Sequence, residues 1–337
     1  MAFDPNAAAL KDSGVFGLPF SPDDSKVVLI PVPFEATTSY GGGTADGPRA
    51  ILEASKQVDL FDLETGKPYE AGIAMLDESA EVRAWNDEGK AVARPIIESG
   101  GVEAEAKALA RVNELSEKMN GYVYETTKAW LAKRKIVGVI GGDHSTPFGA
   151  IKAYAETYPK LGLLHLDAHA DLRSAYEGFT WSHASIMHNV IERLPNVTKL
   201  VQVGIRDFGE AEYEMILANE DRIHTFFDAR LAHARLDGMP WRELVDQIVQ
   251  HLPQHVYLSW DIDGLDPVLC PSTGTPVPGG LSFHQATALL EGVVRAGKTI
   301  VGFDLNEVAP DPDGGEWDGN VAARLLYKMI GWTLKSR

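Results

Sequence analysis

The sequence predicts an α/β fold of three layers, in which helices cover both faces of a mainly parallel central sheet. The first observation is that amphipathic helical patterns alternate with short apolar runs, which favours βαβ units with parallel strands. The second is that the apolar runs are rich in β-branched residues, as expected for strands buried on both faces. These runs are residues 27–32, 136–140, 161–166, 200–205, 223–227, 256–260 and 299–305.

Two of the expected helices have clear apolar stripes, whereas the segment before residue 102 does not. Pro240 suits the first turn of one of these helices. The stripes are Trp241, Leu244, Val245, Ile248, Val249 and Leu252, and then Phe283, Ala286, Leu289, Leu290 and Val293. Residues 77–101 are acidic and weakly periodic, so we expect an excursion of unassigned role there, followed by a long helix over about residues 102–133.

Composition excludes several classes of protein. The chain has 337 residues, 45% of them hydrophobic, and no linker-like segment divides it, so we expect one globular domain over residues 1–337. The formal net charge of −17 disfavours nucleic acid and anionic membranes and favours small cationic partners. No apolar run approaches the ~20 residues that cross a bilayer. The N-terminal segment lacks a targeting pattern and Cys270 is the single cysteine, so we expect a cytoplasmic protein without an internal disulfide.

Acidic and histidine side chains follow four of the predicted strands, at the point where each strand ends. In parallel α/β sheets, ligands collect outside the carboxyl ends of the strands, so we expect these side chains to converge. They are Asp143 and His144 after the second run, Asp167, His169 and Asp171 after the third, Asp261 and Asp263 after the sixth, and Asn306 and Glu307 after the seventh.

The spacing of these residues predicts a binuclear metal site. Alternate residues of extended chain project to the same side, so Asp167, His169 and Asp171 point together, as do Asp261 and Asp263. Alone, each of these short motifs is typical of a turn or a helix cap. Together with His144, they form a set of four carboxylates and two imidazoles, whose charge two divalent cations would balance.

Three segments resemble the signature motifs of the ureohydrolase family, which includes arginases and agmatinases. They are GGDHS at 141–145, DAHAD at 167–171 and SWDIDGLDP at 259–267, and further matches are SYGGGTADGPRAI at 39–51, GIRD at 204–207, TGTPVPGGL at 273–281 and NEVAP at 306–310. The resemblance implies an arginase-like fold, a homo-oligomer (trimer or hexamer) and two manganese ions, although the same donors accept nickel or cobalt.

The resemblance also implies which residues hold the two ions and which act on the substrate. One ion would be held by His144, Asp167, Asp171 and Asp261, and the other by Asp167, His169, Asp261 and Asp263. A metal-bound hydroxide would attack the carbon of a guanidino group and release urea with an amine or ammonia. His183 would shuttle a proton to the leaving nitrogen, Glu307 would orient the guanidinium, and Asp171 would act within the catalytic centre.

The sequence leaves the substrate open, because it departs from the family pattern near His183. Agmatinases carry Ser-His-Gly-Thr where this chain has Ser-His-Ala-Ser at 182–185, and Arg173 resembles the residue of formimidoylglutamases. Arg173 would attract a carboxylate tail if it faces the pocket, or it would be held in a structural ion pair. Trp181, with Tyr176 and Phe179, would narrow the entrance towards small substrates.

The expected substrates are therefore small cationic guanidino compounds, namely guanidine, an alkylguanidine or guanidinobutyrate, in an agmatinase-like enzyme. One alternative is an amidine hydrolase of the formimidoylglutamase type, and another is a catalytically silent subunit of a mixed assembly. A hydrolase on the related deacetylase-like scaffold is disfavoured, because it would need only part of the ligand set. A silent subunit would be expected to lack a ligand, and none is missing.

Overall fold

The computed structural model describes residues 3–101 and 105–337, and a single eight-stranded sheet lies at its centre. Every pair of neighbouring strands is parallel, which confirms the predicted architecture. The strands are β1 Val27–Val32, β2 Ile73–Met75, β3 Ile136–Gly141, β4 Leu161–Leu166, β5 Val197–Ile205, β6 Ile223–Phe227, β7 His255–Asp261 and β8 Thr299–Asn306. Their spatial order is β2-β1-β3-β8-β7-β4-β5-β6.

Helices cover both faces of this sheet, because successive side chains of each buried strand point to opposite sides. Leu164 belongs to the apolar core under one helical layer, and Leu163 belongs to the core under the other. The helices are α1 Gly47–Ser55, α2 Ala80–Glu98, α3 Ala106–Ala132, α4 Phe148–Thr157, α5 Ile186–Arg193, α6 Glu210–Ala218, α7 Asp228–Leu236, α8 Trp241–Val249, α9 Phe283–Arg295 and α10 Trp317–Lys335. Within the described ranges, no helix is both long and apolar enough to cross a membrane.

The interpretation of residues 77–101 as an excursion is wrong, because most of this segment forms α2. The helix begins after Ser79, whose hydroxyl accepts a hydrogen bond from the Val82 amide. Small and polar residues, among them Asn86, Gly89 and Ala93, occupy its buried stripe. They weaken the hydrophobic periodicity, and a Cβ at Gly89 would lie only 2.8 Å from the Ala36 Cβ. The next helix begins at Ala106, and residues 102–104 of the predicted helix lie outside the described ranges.

The strand order brings the candidate site residues to one place. The four strands that these residues follow, β3, β8, β7 and β4, are consecutive in the middle of the sheet. Because all strands are parallel, the carboxyl ends of these four meet at the same edge. Side chains that lie more than a hundred residues apart in sequence therefore become neighbours.

We expect Tyr154 to stabilise β3 at the point where its pairing with β8 begins. That pairing starts at Gly138, and the buried Tyr154 hydroxyl accepts a hydrogen bond from the Val137 amide (2.9 Å) and donates to the Val137 carbonyl (3.0 Å). Tyr154→Phe should lower the free energy of unfolding by about 1–3 kcal/mol, because two buried backbone groups lose their partner. Urea unfolding measures this, with Tyr158→Phe as control, since the structure shows no hydrogen bond for that hydroxyl. Equal stability of both variants would contradict the assignment.

Candidate metal centre

The side chains of His144 and three aspartates meet at the carboxyl ends of β3, β4 and β7. His144 Nδ1 lies 3.0 Å from Asp167 Oδ2, 3.3 Å from Asp261 Oδ2 and 3.4 Å from Asp171 Oδ2. All four side chains are buried. One imidazole nitrogen therefore faces three carboxylate oxygens inside the protein.

A second group of possible ligands shares Asp167 with the first. His169 Nδ1 lies 3.0 Å from Asp263 Oδ2 and 3.4 Å from Asp167 Oδ1. Asp167 thus turns one oxygen towards His144 and the other towards His169, which places it between the two groups. His169 is 25% exposed, so the second group is the one that opens towards solvent.

Backbone amides hold these aspartates in position. The Oδ1 atoms of Asp167, Asp261 and Asp263 accept hydrogen bonds of 2.6–2.9 Å from the amides of His169, Asp263 and Ala168, respectively. Each carboxylate is thereby fixed through one oxygen, while its Oδ2 is directed at a histidine. The loops after β4 and β7 therefore set the direction of the donor atoms before any ligand binds.

The electrostatics of the cluster fit divalent cations. Burial and the neighbouring charge of Asp167 raise the pKa of Asp171 well above its usual value, and burial with Asp263 does the same for Asp261. Burial also opposes ionisation of Asp167, but His165 and His144 hold its pKa well below the usual range. Carboxylates in this arrangement repel one another when they are all ionised. Oxygen and imidazole donors around two points are the ligand set that Mn²⁺ and similar ions accept.

His165 is a member of the cluster that the sequence interpretation missed. It lies in β4, its Nε2 is 2.8 Å from Asp167 Oδ2, and the Gln202 amide donates a hydrogen bond to its Nδ1 (3.1 Å). That bond leaves the proton on Nε2, so His165 donates to Asp167. Extending the alternation of residues 167, 169 and 171 two positions back into the strand would have found it.

Ser259 and Asp304 orient His144 and were also missed. The Ser259 hydroxyl donates to Asp304 Oδ1 (3.0 Å), so its oxygen accepts the proton of His144 Nε2 (3.0 Å). Nδ1 of His144 is consequently left to face the three carboxylates, where it needs either a proton or a cation. Partners of this kind fix the ring orientation of metal-binding histidines.

Glu307 lies next to this cluster, immediately after β8. Its Oε1 accepts a hydrogen bond from the His144 amide (2.9 Å), and its carbonyl accepts one from the Thr273 hydroxyl (2.7 Å). The residue has a left-handed backbone conformation (φ 61°). A buried carboxylate held in this way is a planar acceptor suited to a guanidinium group.

Two glycine-containing loops meet beside Glu307. Gly274 lies so close to Gly41 that a Cβ on Gly41 would be 2.8 Å from the Gly274 Cα. The Gly41 loop is held by Glu35, whose Oε2 accepts hydrogen bonds from the Gly43 and Thr44 amides (2.8 and 2.6 Å). Gly41 and Gly274, one from each of the sequence motifs at 39–51 and 273–281, therefore serve a close approach of two backbones next to Glu307.

His183 begins a short 3₁₀ helix, His183–Ser185, and is half-buried. Burial, together with the charges of His169 and His144, lowers the pKa of His183 to about 4. Its imidazole is therefore neutral at neutral pH. The Tyr176 ring stands edge-on to it, with the ring centroids 6.1 Å apart.

Arg173 lies beside an acidic side chain of its own chain. Its Nε lies 3.5 Å from Glu212 Oε2, and its guanidinium carbon lies 5.0 Å from the centroid of the Tyr176 ring. Glu212 is itself buried and accepts hydrogen bonds from the Leu172 and Gly209 amides. The guanidinium therefore has a carboxylate partner within the chain.

Trp181, which is expected to line the substrate entrance, has a buried side chain in the structure. Its indole packs against Phe148, with ring centroids 4.8 Å apart, and its Nε1 donates to Glu117 Oε1 (3.3 Å). Phe179 is fully buried in a separate apolar cluster with residues of α2 and α3. Of the three aromatic residues, Tyr176 is the one that the structure brings to His183.

Comparisons with known proteins give one consistent relationship. The sequence profile of the arginase family matches residues 25–331. An N(1)-aminopropylagmatine ureohydrolase of Thermus thermophilus is 36% identical over 321 residues, which cover 94% of this chain and 94% of that enzyme. An agmatinase of Cronobacter sakazakii is 31% identical over 317 residues, which cover 93% of this chain and 90% of that enzyme.

Solved structures show the same fold. Proclavaminate amidino hydrolase from Streptomyces clavuligerus superposes with a TM-score of 0.73 at 24% identity, covering 98% of this chain and 100% of that chain. Agmatine ureohydrolase of Thermoplasma volcanium superposes with a TM-score of 0.71 at 24% identity, covering 94% of this chain and 92% of that chain. The three-layer arrangement is therefore common to these chains.

We expect Ser259→Ala to weaken metal binding about 10- to 100-fold, the usual effect of losing the hydrogen-bond partner of a metal-binding histidine. The alanine leaves His144 free to turn away from the carboxylates. Competition with a coloured chelator measures the affinity. Ser116→Ala is the matched control, because this buried serine donates only to the Val112 carbonyl of its own helix. Unchanged affinity in Ser259→Ala would show that His144 is oriented by other contacts.

Proposed function

The chain belongs to the arginase family, whose ureohydrolases are metal-dependent hydrolases of linear amidines, and we propose that it cleaves the guanidino group of a small cationic substrate. The products would be urea and an amine. The observation that carries this proposal is the position of Asp167, with one oxygen in each of two adjoining groups of histidine and aspartate donors.

We assign the two groups of donors to two divalent cations, with manganese as the resident metal and nickel or cobalt as ions that the same donors accept. His144, Asp171, Asp261 and Asp167 would hold one ion, and His169, Asp263, Asp261 and Asp167 the other. When bound, such ions would lower the pKa of a bound water towards about 7 and so supply a nucleophile for the guanidinium carbon. Asp171 would act in catalysis as a ligand of that centre.

His183 and Glu307 would act on the substrate itself. Because the pKa of His183 is lowered to about 4, its imidazole is neutral and weakly basic at neutral pH, and its protonated form would be a strong proton donor. It can therefore pass a proton to the departing nitrogen. Glu307 would accept hydrogen bonds from the guanidinium and hold the carbon next to the donors of the centre.

We propose a substrate with a cationic tail, such as agmatine or its aminopropyl derivative. The relatives from Thermus thermophilus and Cronobacter sakazakii are named for aminopropylagmatine and agmatine. The formal net charge of −17 of this chain also favours a cationic substrate. The Glu212 carboxylate near Arg173 supports this choice, because its charge weakens the attraction of this guanidinium for a carboxylate tail. Guanidine is the next expected substrate, followed by alkylguanidines and then guanidinobutyrate. The Arg173–Glu212 contact also argues against a formimidoylglutamase.

The proposal includes a self-associated enzyme with its own active centre. The family is typically oligomeric, and we propose a trimer or hexamer of identical chains. Every proposed ligand is contributed by one chain. This argues against a silent subunit, which would lack at least one of them.

A urea-release assay across tail charges tests the proposed function. We expect the manganese-loaded protein to release urea from agmatine and aminopropylagmatine with higher kcat/KM than from ethylguanidine or guanidinobutyrate, with formimidoylglutamate as the ammonia-releasing comparison. Chelation should abolish the activity, and added manganese should restore it. No urea from any guanidine by metal-loaded protein would contradict the proposal.

We expect His183→Ala to keep both metal ions and to lower kcat by the about 10²- to 10⁴-fold typical of a lost acid–base group. Metal analysis and urea release are measured on the same preparation. His233→Ala is the control, because His233 lies in α7, which packs on β5 and β6 and not on the strands that the donors follow. If His183→Ala turns over at the normal rate, His183 has a structural role only.

For Arg173→Ala, we expect kcat/KM to fall by less than about fivefold and by a similar factor for substrates with cationic, neutral and anionic tails. The reason is that Arg173 is 43% exposed and a surface ion pair contributes only about 0–1 kcal/mol. Arg230→Ala is the matched control, since Arg230 also stacks on an aromatic ring, Phe227. A selective loss of about tenfold or more for guanidinobutyrate would instead show that Arg173 binds the tail.

A further inference from the structure

A cavity separate from the candidate metal centre lies between α3, α4 and α5. Its volume is about 400 Å³, within the usual range for small-molecule sites. Its walls include the aromatic rings of Tyr124, Phe148 and Trp181. None of the six proposed metal ligands lines it, so the proposed reaction leaves this cavity without a role.

Two cations in the cavity wall lack an acidic partner. Lys152 Nζ lies 4.6 Å from the centroid of the Tyr124 ring, and Arg193 Cζ lies 4.8 Å from that of Trp181. Neither forms a salt bridge with any residue in the described part of the chain. The one carboxylate of the wall, Glu117, already accepts the Trp181 Nε1 proton. In a chain with an acidic surplus, this is a pocket of locally positive charge.

Gly121, which lines the cavity, is a glycine without a packing reason in the interior of a helix. It lies in the interior of α3, where glycine destabilises a helix by roughly 0.5–1 kcal/mol relative to alanine. Most helical glycines of this chain have a packing reason: a Cβ at Gly149, for example, would lie 2.2 Å from the Asn120 carbonyl oxygen. A Cβ at Gly121 would meet no atom within 4 Å. Gly121 is exposed and lines the cavity, so its missing side chain relieves no clash and leaves this side of the cavity open to solvent.

We propose that this cavity binds a small monocarboxylate with an apolar body, such as an aromatic acid. The carboxylate would accept hydrogen bonds from Lys152 and Arg193, and the apolar body would pack against the aromatic walls beside Gly121. Phe148 begins α4 four residues after His144, and Trp181 precedes His183 by two residues. A ligand in the cavity would therefore contact both segments that lead to the metal centre.

Calorimetric titration of the full-length, metal-loaded chain with benzoate tests the site, and neutral benzamide provides a comparison of the same shape. We expect one saturable benzoate site per chain and at least about tenfold weaker binding of benzamide, which lacks the charge. Gly121→Leu should abolish binding by filling the cavity, whereas Gly121→Ala should change the affinity by less than about threefold. The readout needs no turnover, so it is independent of the proposed reaction.

The contribution of the Lys152 ammonium group is tested separately. Lys152→Met should weaken benzoate binding by about tenfold, and Lys128→Met is its matched control, because Lys128 lies over the same Tyr124 ring but does not line the cavity. The proposal is overturned if benzoate does not bind, if benzamide binds equally well, or if binding persists in Gly121→Leu. It is also overturned if Gly121→Leu dissociates an oligomer without affecting benzoate, since the cavity would then be a contact between copies of the chain.

Discussion

The burial of several carboxylates around Asp167 is the constraint on which the rest of the structure depends. Ionised carboxylates repel one another strongly where water is excluded, so the fold must supply compensating charge and hydrogen bonds. Backbone amides bind one oxygen each of Asp167, Asp261 and Asp263, and histidines face the others. The raised pKa values of Asp171 and Asp261 show that this compensation is incomplete within the protein. The missing positive charge is what two divalent cations would supply.

The parallel sheet makes this concentration of charge possible. Its four central strands end side by side, and each contributes a loop whose first residues are directed by the strand. The residues that orient the histidines of the cluster are also fixed by the sheet. Gln202 orients His165, while Asp304 and Ser259 orient His144. These residues lie within the strands, where neighbouring backbone and apolar packing restrict their movement, so the precision of the centre comes from the sheet and not from the loops alone.

The outer parts of the site depend on contacts between separate elements. Glu35 holds the glycine loop that approaches Gly274 beside Glu307, and its own charge is paired with Lys90 of α2. Trp181 lies two residues before His183 and packs between α3, α4 and α5, and these contacts hold the segment that carries His183. The cavity wall and the metal centre are therefore connected through the segments that carry His144 and His183. No residue belongs both to the proposed metal ligands and to the cavity wall.

The sequence alone determined the parallel α/β architecture and the six side chains that converge, because both follow from local rules. Strand alternation and strand ends require only a few consecutive residues, and the same rule extended by two positions would have included His165. Tertiary structure alone decided that Arg173 lies beside Glu212, that the Trp181 indole donates to Glu117, and that residues 80–98 form a helix with a small-residue stripe. Each of these outcomes depends on a partner distant in sequence, or on the space that a neighbouring element leaves, and no local pattern encodes either.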